Sequence, residues 1–595
     1  MKRSWLILIA VLIVALGLAY FTGMFGGREE PDVTPDGTHE TRDQGRDRGT
    51  GRLVREETLY KAGHQWGPPT SFNPFSTAAA WPTGNEEILY ETLFGYNLVS
   101  GKMEPILGKS MEWTDDSTLT VTLQPNTKWQ DGKPLTAEDV VYTFELGKKY
   151  SVTFSPVWNY MTEAKVVDDR TIELTLNPDN PHKAMLEEYM GTIRIVPKHI
   201  WTEVEEKEGG IVRFANTEPV GSGPYKLSSY SQQQIVMVRD DDYWGIPIYG
   251  KPAPKYVVHP VFKSNDAGNL ALERGEVDWS QNFIPEVWKM WEDKKLPIGT
   301  WFDEEPYHLP GSIPTLWINV NKYPLSLPEV RRALAYSIDY ARIAETAVSR
   351  YSTPAKSSII IPEGVPESKY YSEEDVEKYG WEYNPDKARE ILEQELGATK
   401  GSDGIYVLPD GTRLGPFKAE CPYGWTDWMT SLQVVASSAR AVGIDVVTEF
   451  PEQPVWVDHR DSGNFDLLMD TPAGAQSPAQ PWLRIRDSLD NRGVPDAGKG
   501  TAYRNFGRYS NPRIHELLDQ VVVTTDENEL KEIYREINRI YMQDVPTIPL
   551  QYRPVEFHVF NEKYWTGFPT ADNPVAPPLH NFAGVRVYFN VKPAK

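Results

Sequence analysis

The sequence predicts an α/β protein with more than one domain. Predicted strands and helices alternate from about residue 58 to the C-terminus, as in the period-two strand over 118–123 and the capped helix over 137–148. The chain has 595 residues, several times the length of a typical domain of about 100–150 residues. Hydrophobic residues make up 40% of it, which is enough for large cores. Such alternation indicates layers of helices packed on sheets.

The charge and the cysteine content argue against several functions. The formal net charge of −23 disfavours nucleic acid and anionic membrane surfaces as partners. The single cysteine, Cys421, allows neither an intrachain disulfide nor a multi-cysteine metal site. The ten histidines are scattered without metal-site spacing, so the sequence predicts no metal and no cofactor.

The N-terminus predicts that the protein leaves the cytoplasm. Lys2 and Arg3 precede an uncharged apolar run over 5–25, which is about long enough to span a bilayer. Residues 1–25 are therefore expected to be a transmembrane anchor or a signal peptide. The positive-inside rule places the rest of the chain outside the cytoplasmic membrane, either anchored or secreted. The charged, glycine-containing stretch 26–57 is expected to be a flexible linker.

The stretch 420–429 is the strongest candidate for a binding site. It joins a predicted strand over 415–419 to a predicted amphipathic helix over 429–442, and turns of this kind present side chains to ligands. Its two indoles, phenol and carboxylate suit a sugar ring, which has apolar faces and a rim of hydroxyls; they belong to Tyr423, Trp425, Asp427 and Trp428. Alternatively, the two tryptophans form one buried stripe of the helix, since they lie three residues apart.

Six short motifs follow one another in a characteristic order along the chain. They are WQDGKPLTAEDV at 129–140, GSGPY at 221–225, YWG at 243–245, RGEVDW at 274–279, VRRALAYSID at 330–339 and PTIPL at 546–550. Their order from residue 58 to the C-terminus resembles that of the large solute-binding proteins of ABC importers, family 5. That resemblance implies an extracytoplasmic binding protein that works with the membrane permease subunits of an importer, not an enzyme.

The resemblance also implies a domain organisation. The expected fold is a two-lobed, periplasmic-binding-protein-like fold of type II, in its large three-domain form, with a hinge that lets the lobes close on ligand. Domain I would comprise 58–100, 216–312 and 553–595. Domain II, inserted in that first lobe, would comprise 101–215, and domain III, the second lobe, would comprise 313–552. The protein is expected to be a monomer.

Within the family, the chain resembles the branch that binds cellobiose and related β-linked oligosaccharides in thermophilic bacteria. The resemblance rests on the stretch 420–429, on the loop that contains Trp66, Pro68 and Pro69, and on the run 317–324. It implies a cellobiose-like ligand bound between the lobes. The alternative is an oligopeptide- or dipeptide-binding protein of the same family.

Two observations bear on the choice among a sugar ligand, a peptide ligand and a glycosidase activity. Peptide-binding members resemble one another in placing an aspartate shortly before a proline in domain III, where it pairs with the peptide amine. The matching stretch 473–478 has no acid, although Asp470 could substitute, and a buried ammonium without a counter-charge costs several kcal/mol. A glycosidase would need two carboxylates facing each other across a sugar; Asp427 is interpreted instead as an acceptor for a sugar hydroxyl.

The candidate ligand-binding residues fall into two groups. The residues expected to stack on sugar faces are Trp66, Trp425 and Trp428, with Trp279 and Trp317 as weaker stackers. The residues expected to hydrogen-bond sugar hydroxyls are Asn73, Gln281, Asn282, Asn319, Tyr423 and Asp427. Each has a structural alternative: Trp279 and Trp317 lie on predicted strands and could be core residues, and Asn73 could only shape the turn before Pro74.

Overall fold

The computed structural model describes residues 53–63, 69–75, 86–207 and 210–594. The predicted N-terminal anchor, most of the predicted linker and Trp66 lie outside these residues. No helix among the described residues combines the length and the apolar character needed to cross a membrane. The described residues belong to a compact unit, Asp47–Lys595.

A mixed sheet joins the beginning, the middle and the end of the chain. Within the described residues its strands are, in spatial order, Ile298–Gly299, Val559–Asn561, Trp279–Ser280, Thr58–Ala62, Tyr256–Pro260, Gln234–Arg239 and Tyr225–Tyr230. Thr58–Ala62 is parallel to both of its neighbours. Such pairing requires segments that are far apart in sequence to fold together.

A second sheet is wholly antiparallel. Its described strands are, in order, Gly108–Trp113, Thr118–Leu123, Thr171–Leu176 and Met161–Asp168. Burial alternates along Thr118–Leu123, which confirms the predicted period of two. The helix Ala137–Lys149 begins after Thr136, whose backbone N–H donates to the Asp139 carboxylate at 2.9 Å; this confirms the predicted cap.

A third sheet lies in the second half of the chain. Its described strands are, in order, Val446–Glu449, Phe417–Glu420, Leu467–Asp470, Thr315–Ile318 and Thr547–Pro549. Phe417–Glu420 is parallel to both of its neighbours, whereas Thr315–Ile318 is antiparallel to the strands on either side. Every strand except Thr315–Ile318 therefore points the same way, and their carboxyl ends lie at one edge.

Helices and small hairpins complete the described architecture. The α-helices are Glu86–Leu89, Ala137–Lys149, Lys183–Thr192, Lys198–Lys207, Ile246–Tyr249, Asn265–Glu273, Lys289–Glu292, Pro328–Ser337, Tyr340–Arg342, Glu373–Tyr379, Pro385–Glu390, Thr426–Val442, Gln453–Ser462, Trp482–Leu489, Pro512–Val523, Glu527–Asp544 and Val587–Asn590. Single 3₁₀ turns occupy Arg55–Glu57, Ser155–Asn159, Ile211–Arg213, Pro366–Tyr370 and Phe582–Arg586, and π turns occupy Ile343–Ala347 and Ile391–Glu395. The hairpins pair Phe94–Asn97 with Lys102–Pro105, Thr399–Lys400 with Tyr406–Val407, and Trp565–Thr566 with Lys592–Pro593.

One helix boundary differs from the prediction in a way that affects the site. The helix predicted to begin at Met429 begins at Thr426, so Asp427 and Trp428 lie in its first turn. A carboxylate in the first turn is favoured by the positive end of the helix dipole, which explains the earlier start. The two residues are therefore held by a helix, while Trp425 remains on the preceding turn.

Two segments connect the first sheet with the third. Residues 300–314 lead from Ile298–Gly299 to Thr315–Ile318, and residues 550–558 lead back from Thr547–Pro549 to Val559–Asn561. They pair with each other at Ser312 and Arg553, where the two backbones exchange N–H···O bonds of 2.8 and 3.0 Å. We call this pair of segments, 300–314 and 550–558, the crossing. The domain boundaries expected at these positions stay a prediction.

Candidate ligand-binding site

The aromatic turn, defined here as residues 421–425, leaves the third sheet at its carboxyl edge. It follows the strand Phe417–Glu420 and precedes the helix Thr426–Val442. Tyr423 N–H donates to the carbonyl of Pro451, which follows the adjacent strand, at 2.9 Å. Gly424 has φ +87°, a conformation that glycine adopts without strain. In open α/β sheets, ligands bind outside the carboxyl ends of strands, so the fold places this turn where a ligand is expected.

The aromatic side chains of this turn and of the first turn of the following helix differ in exposure. Tyr423 is 67% exposed and Trp425 is 38% exposed, whereas Trp428 is 5% exposed. Trp425 meets Trp428 edge-to-face with ring centroids 4.7 Å apart, and it lies 6.0 Å from the ring of buried Trp456. Such contacts fix the orientation of an aromatic ring. Trp425 therefore offers a supported, accessible face, and Trp428 is chiefly its support.

Asp427 belongs to a network of polar side chains that is mostly buried. Its Oδ2 accepts a hydrogen bond from the Tyr351 hydroxyl at 2.9 Å and lies 3.6 Å from Nε of Arg553. Ser431 donates to Gln551 at 3.1 Å within the same network. Burial, and then the nearby Asp427 carboxylate, hold the pKa of Tyr351 well above its ordinary value, so its hydroxyl remains a donor. Asp427 thus already has a protein partner.

Asn282 is a buried amide without a partner among the described residues. Neither Nδ2 nor Oδ1 has a hydrogen bond, although the residue is almost wholly buried. It follows the strand Trp279–Ser280, and the next residue, Phe283, packs edge-to-face on Tyr351 at 5.4 Å. A segment of the first sheet therefore reaches the network around Asp427. An unpaired buried amide is costly, and a ligand that supplies both a donor and an acceptor would remove that cost.

Gln281 lies beside the start of the loop that contains Trp66. A Cβ added to Gly63 would lie 2.5 Å from Gln281 Cγ and 2.8 Å from Asn282 Oδ1, so both side chains pack against that backbone. Gln281 is partly exposed. Trp66 itself lies outside the described residues, and its predicted role stays a prediction.

Four other predicted ligand residues lie in the core, which corrects the expectation that they contact a ligand. Trp279 stacks on His580 with centroids 3.8 Å apart, and its Nε1 donates to His558 at 2.9 Å. Trp317 is buried against Phe506. Their strand positions point inward, as the structural alternative allowed.

The other two of these four core residues, Asn319 and Asn73, have side-chain amides that hydrogen-bond to backbone carbonyls. Asn319 Nδ2 donates to the carbonyls of Gly463 and Phe465 at 3.0 and 2.9 Å. Asn73 Nδ2 donates to the carbonyls of Ile211 and Phe214 at 2.7 and 2.8 Å. Both residues are fully buried, so these amides hold loops together and have no free donor to offer a sugar hydroxyl.

Tyr351, Trp456 and Arg553 belong to the site region but were not predicted from the sequence. Each contacts the aromatic turn or Asp427 from a position far along the chain; Tyr351 and Asp427 are 76 residues apart. No spacing rule links such positions. The one usable signal in the sequence is the domain boundary expected between residues 552 and 553, which lies at Arg553.

Asp470, the possible partner of a peptide amine, already has a cationic partner. Arg460 donates to its Oδ2 at 3.0 Å, and the Thr471 N–H donates to its Oδ1 at 2.7 Å. Burial raises the pKa of Asp470 to about 6, although Arg460 opposes the rise. This carboxylate is therefore already engaged. Among the described residues, no group of three or more His, Cys, Asp or Glu side chains could hold a metal ion.

A comparison with family models decides the class of protein. The model of the bacterial extracellular solute-binding proteins, family 5, matches residues 102–489, well over half of the chain. The chain belongs to this family. Its members are extracytoplasmic solute-binding proteins of ABC importers and not enzymes, and this protein is one of them.

Solved structures of family 5 proteins share the fold. A periplasmic oligopeptide-binding protein of an ABC transporter from Thermotoga maritima is 36% identical, with a TM-score of 0.84 over 91% of this chain and 100% of that one. The same protein with bound mannohexaose gives a TM-score of 0.79 at 36% identity over 91% and 99%. The fold is therefore the two-lobed type II arrangement of periplasmic binding proteins.

More distant relatives carry names that refer to peptides. The probable peptide-binding protein YejA of Agrobacterium fabrum is 24% identical, covering 78% of this chain and 81% of its own length. The oligopeptide-binding protein AppA of Bacillus subtilis, solved with a nonapeptide, is 22% identical, with a TM-score of 0.68 over 90% of this chain and 99% of that one. At this identity the structural likeness shows the fold alone.

Proposed function

We propose that this family 5 protein binds a β-linked oligosaccharide, such as cellobiose or a longer chain, between its lobes and delivers it to the permease of an ABC importer. The observation that carries the proposal is the aromatic turn at the carboxyl edge of the third sheet. There Trp425 is accessible to a ligand while Trp428 and Trp456 fix its orientation. A rigid, accessible indole matches the apolar face of a pyranose ring.

The polar groups near the turn favour a neutral ligand with hydroxyls. Asn282 carries a donor and an acceptor that have no partner in the part of the chain that the structure describes, which matches hydroxyl groups, since each can accept and donate. Asp427, whose Oδ2 is held by Tyr351, supplies a carboxylate beside Trp425. A site built for hydroxyls rejects analogues that lack them, because its buried polar groups would be left unpaired. These features support selectivity for a sugar through hydrogen bonds.

Two further observations favour a sugar over a peptide. Residues 473–478 contain no acid, and Asp470 is engaged by Arg460. The Thermotoga maritima protein, at 36% identity, is described as oligopeptide-binding and yet was solved with mannohexaose. A peptide ligand remains the alternative, since the names of other relatives refer to peptides. Trp66 and Gln281 stay in the proposed ligand set, whereas the four core residues leave it.

A fluorescence screen tests the proposal. The purified protein is titrated with cellobiose, laminaribiose, xylobiose, mannobiose and mannohexaose, and in parallel with peptides of two to nine residues. Because Trp425 is accessible and rests on two other indoles, an oligosaccharide that covers it should change the intrinsic fluorescence at saturation. A protein that responds to peptides and to none of the sugars would contradict the sugar assignment and support the alternative.

A further inference from the structure

Arg553 lies on the crossing between the lobes. Its backbone carbonyl accepts hydrogen bonds from the N–H groups of Gly311 and Ser312 at 3.0 and 2.8 Å, and its own N–H donates to Ser312 at 3.0 Å. These bonds join the two segments that connect the first sheet with the third. Arg553 is therefore bonded to the other segment of the crossing through both its carbonyl and its N–H.

The side chain of Arg553 reaches towards the candidate site. Its guanidinium lies 4.6 Å from the ring centroid of Phe557, which belongs to the same crossing segment. Its Nε is buried, has no hydrogen-bond partner among the described residues and lies 3.6 Å from Asp427 Oδ2. That separation is beyond hydrogen-bond distance. An approach of less than 1 Å would convert it into a charge-assisted hydrogen bond.

Asp427 connects this guanidinium with the surface that a ligand would contact. It lies in the first turn of the helix Thr426–Val442, two residues after Trp425. Its partner Tyr351 packs against Phe283 of one lobe and Phe557 of the crossing at 5.4 and 5.1 Å. Displacement of the aromatic turn therefore moves the acceptor that faces Arg553.

We propose that Arg553 is a positioning residue that couples occupancy of the aromatic turn to closure of the lobes. In the closed, ligand-bound state, Nε of Arg553 donates a hydrogen bond to Asp427. This bond holds the crossing in the geometry that retains the ligand. The coupling rests on one part of the proposed function, namely that a ligand contacts the aromatic turn. It does not depend on whether that ligand is a sugar or a peptide. Arg553 itself need not touch the ligand.

The test combines affinity, kinetics and shape. Arg553→Gln removes the cation, and Arg553→Lys keeps the charge but loses the planar donor. The matched control is Arg332→Gln, because the Arg332 side chain is 31% exposed, against 30% for Arg553, and pairs with Glu395 at 2.7 Å away from the crossing. Mannohexaose binding is measured by calorimetry and stopped flow, and closure is measured by small-angle scattering with and without ligand.

The coupling predicts a specific pattern. Arg553→Gln should bind mannohexaose about 10-fold more weakly, mainly through faster dissociation, because a hydrogen bond to a charged group is lost in the closed state. Its ligand-induced contraction should be smaller than that of the wild type, and Arg553→Lys should be intermediate. Arg332→Gln should match the wild type in both measurements. A purely structural role would lower the melting temperature without changing the contraction.

A double-mutant cycle gives the second readout. Asp427→Asn combined with Arg553→Gln should weaken binding no more than the stronger of the two single changes, since both remove one coupling. The proposal is overturned if the losses of binding free energy in the two single variants add up in the double variant. It is also overturned if Arg553→Gln keeps the affinity and the ligand-induced contraction of the wild type. If the wild type binds only peptides, the sugar assignment fails, and the same variants are measured with the tightest-binding peptide, for which the same ratios are expected.

Discussion

Trp425 packs edge-to-face on Trp428 with ring centroids 4.7 Å apart, and the two indoles differ sharply in exposure, 38% against 5%. The sequence left open whether this pair binds ligand or forms a buried stripe. The structure divides the two roles: the residue before the helix is accessible, and the residue in its first turn is buried. Substitutions at the two positions should therefore have different consequences.

Trp425→Ala should weaken ligand binding and leave the fold intact. Loss of an accessible aromatic anchor costs on the order of 2 kcal/mol, which is about a 30-fold loss of affinity. Calorimetry with mannohexaose measures the affinity, and a thermal melt checks the fold. Tyr503→Ala serves as the control, because Tyr503 is 84% exposed and its truncation should change neither quantity. Unaltered affinity in Trp425→Ala would remove the indole from the site.

Trp428→Ala should instead destabilise the protein. Truncating a buried tryptophan costs about 3–5 kcal/mol, because it leaves a cavity, and here it would also release Trp425. Urea unfolding measures the free energy of unfolding, and Trp428→Phe should restore part of it because much of the volume is kept. An unfolding curve that superposes on the wild type would show that Trp428 is not a core residue.

Asn282→Leu should separate a ligand-binding amide from a structural one. Since neither amide atom of Asn282 has a partner among the described residues, an apolar side chain of similar size should leave the melting temperature unchanged or raised. Binding of an oligosaccharide should fall at least about 5-fold, because a hydrogen bond is worth roughly 1 kcal/mol or more.

Asn319→Leu is the matched control for that substitution. Its amide donates to two backbone carbonyls, so the change should lower stability and leave the affinity of the folded fraction unaltered. If Asn282→Leu destabilises the protein as Asn319→Leu does and binds normally, Asn282 has a structural role.

Glu188 should make stability depend on pH. Burial raises its pKa to about 7, above the ordinary value of 4.5. The stabilising contribution of the protonated carboxyl is therefore complete below pH 4.5 and is lost as the pH rises through about 7. Glu188→Gln should melt higher than the wild type at pH 8, with the difference shrinking towards pH 4.5. Thermal melts across this range measure it, and a difference independent of pH would contradict the raised pKa.

Local patterns predicted the elements well but not which aromatic residues face a ligand. The alternation in Thr118–Leu123 and the cap at Thr136 depend on neighbours in sequence, and both are found. Trp279 and Trp425 were both expected to stack on a sugar, although Trp279 lies on a strand and Trp425 on a turn. Their difference comes from His558 and His580, which cover Trp279 and are hundreds of residues away along the chain.

Contacts between residues far apart in the sequence also explain why some residues of the candidate site were not predicted. Tyr351 and Arg553 meet Asp427 only because the crossing segments and the third sheet assemble around it. Asn282 was proposed from its chemistry, but the lack of a partner for its amide within 53–63, 69–75, 86–207 and 210–594 is a property of the folded surroundings. A sequence pattern reports which side of a strand a residue occupies, not what the rest of the chain places against it.

Isothermal titration of the wild-type protein with mannohexaose and cellobiose, repeated in 50 and 500 mM salt, tests the central claim most directly. The account predicts saturable binding to one site, with an affinity that changes little with salt because the ligand is neutral. Trp425→Ala should weaken that binding about 30-fold under the same conditions. Absence of heat with both sugars, together with salt-dependent binding of a short peptide, would contradict it.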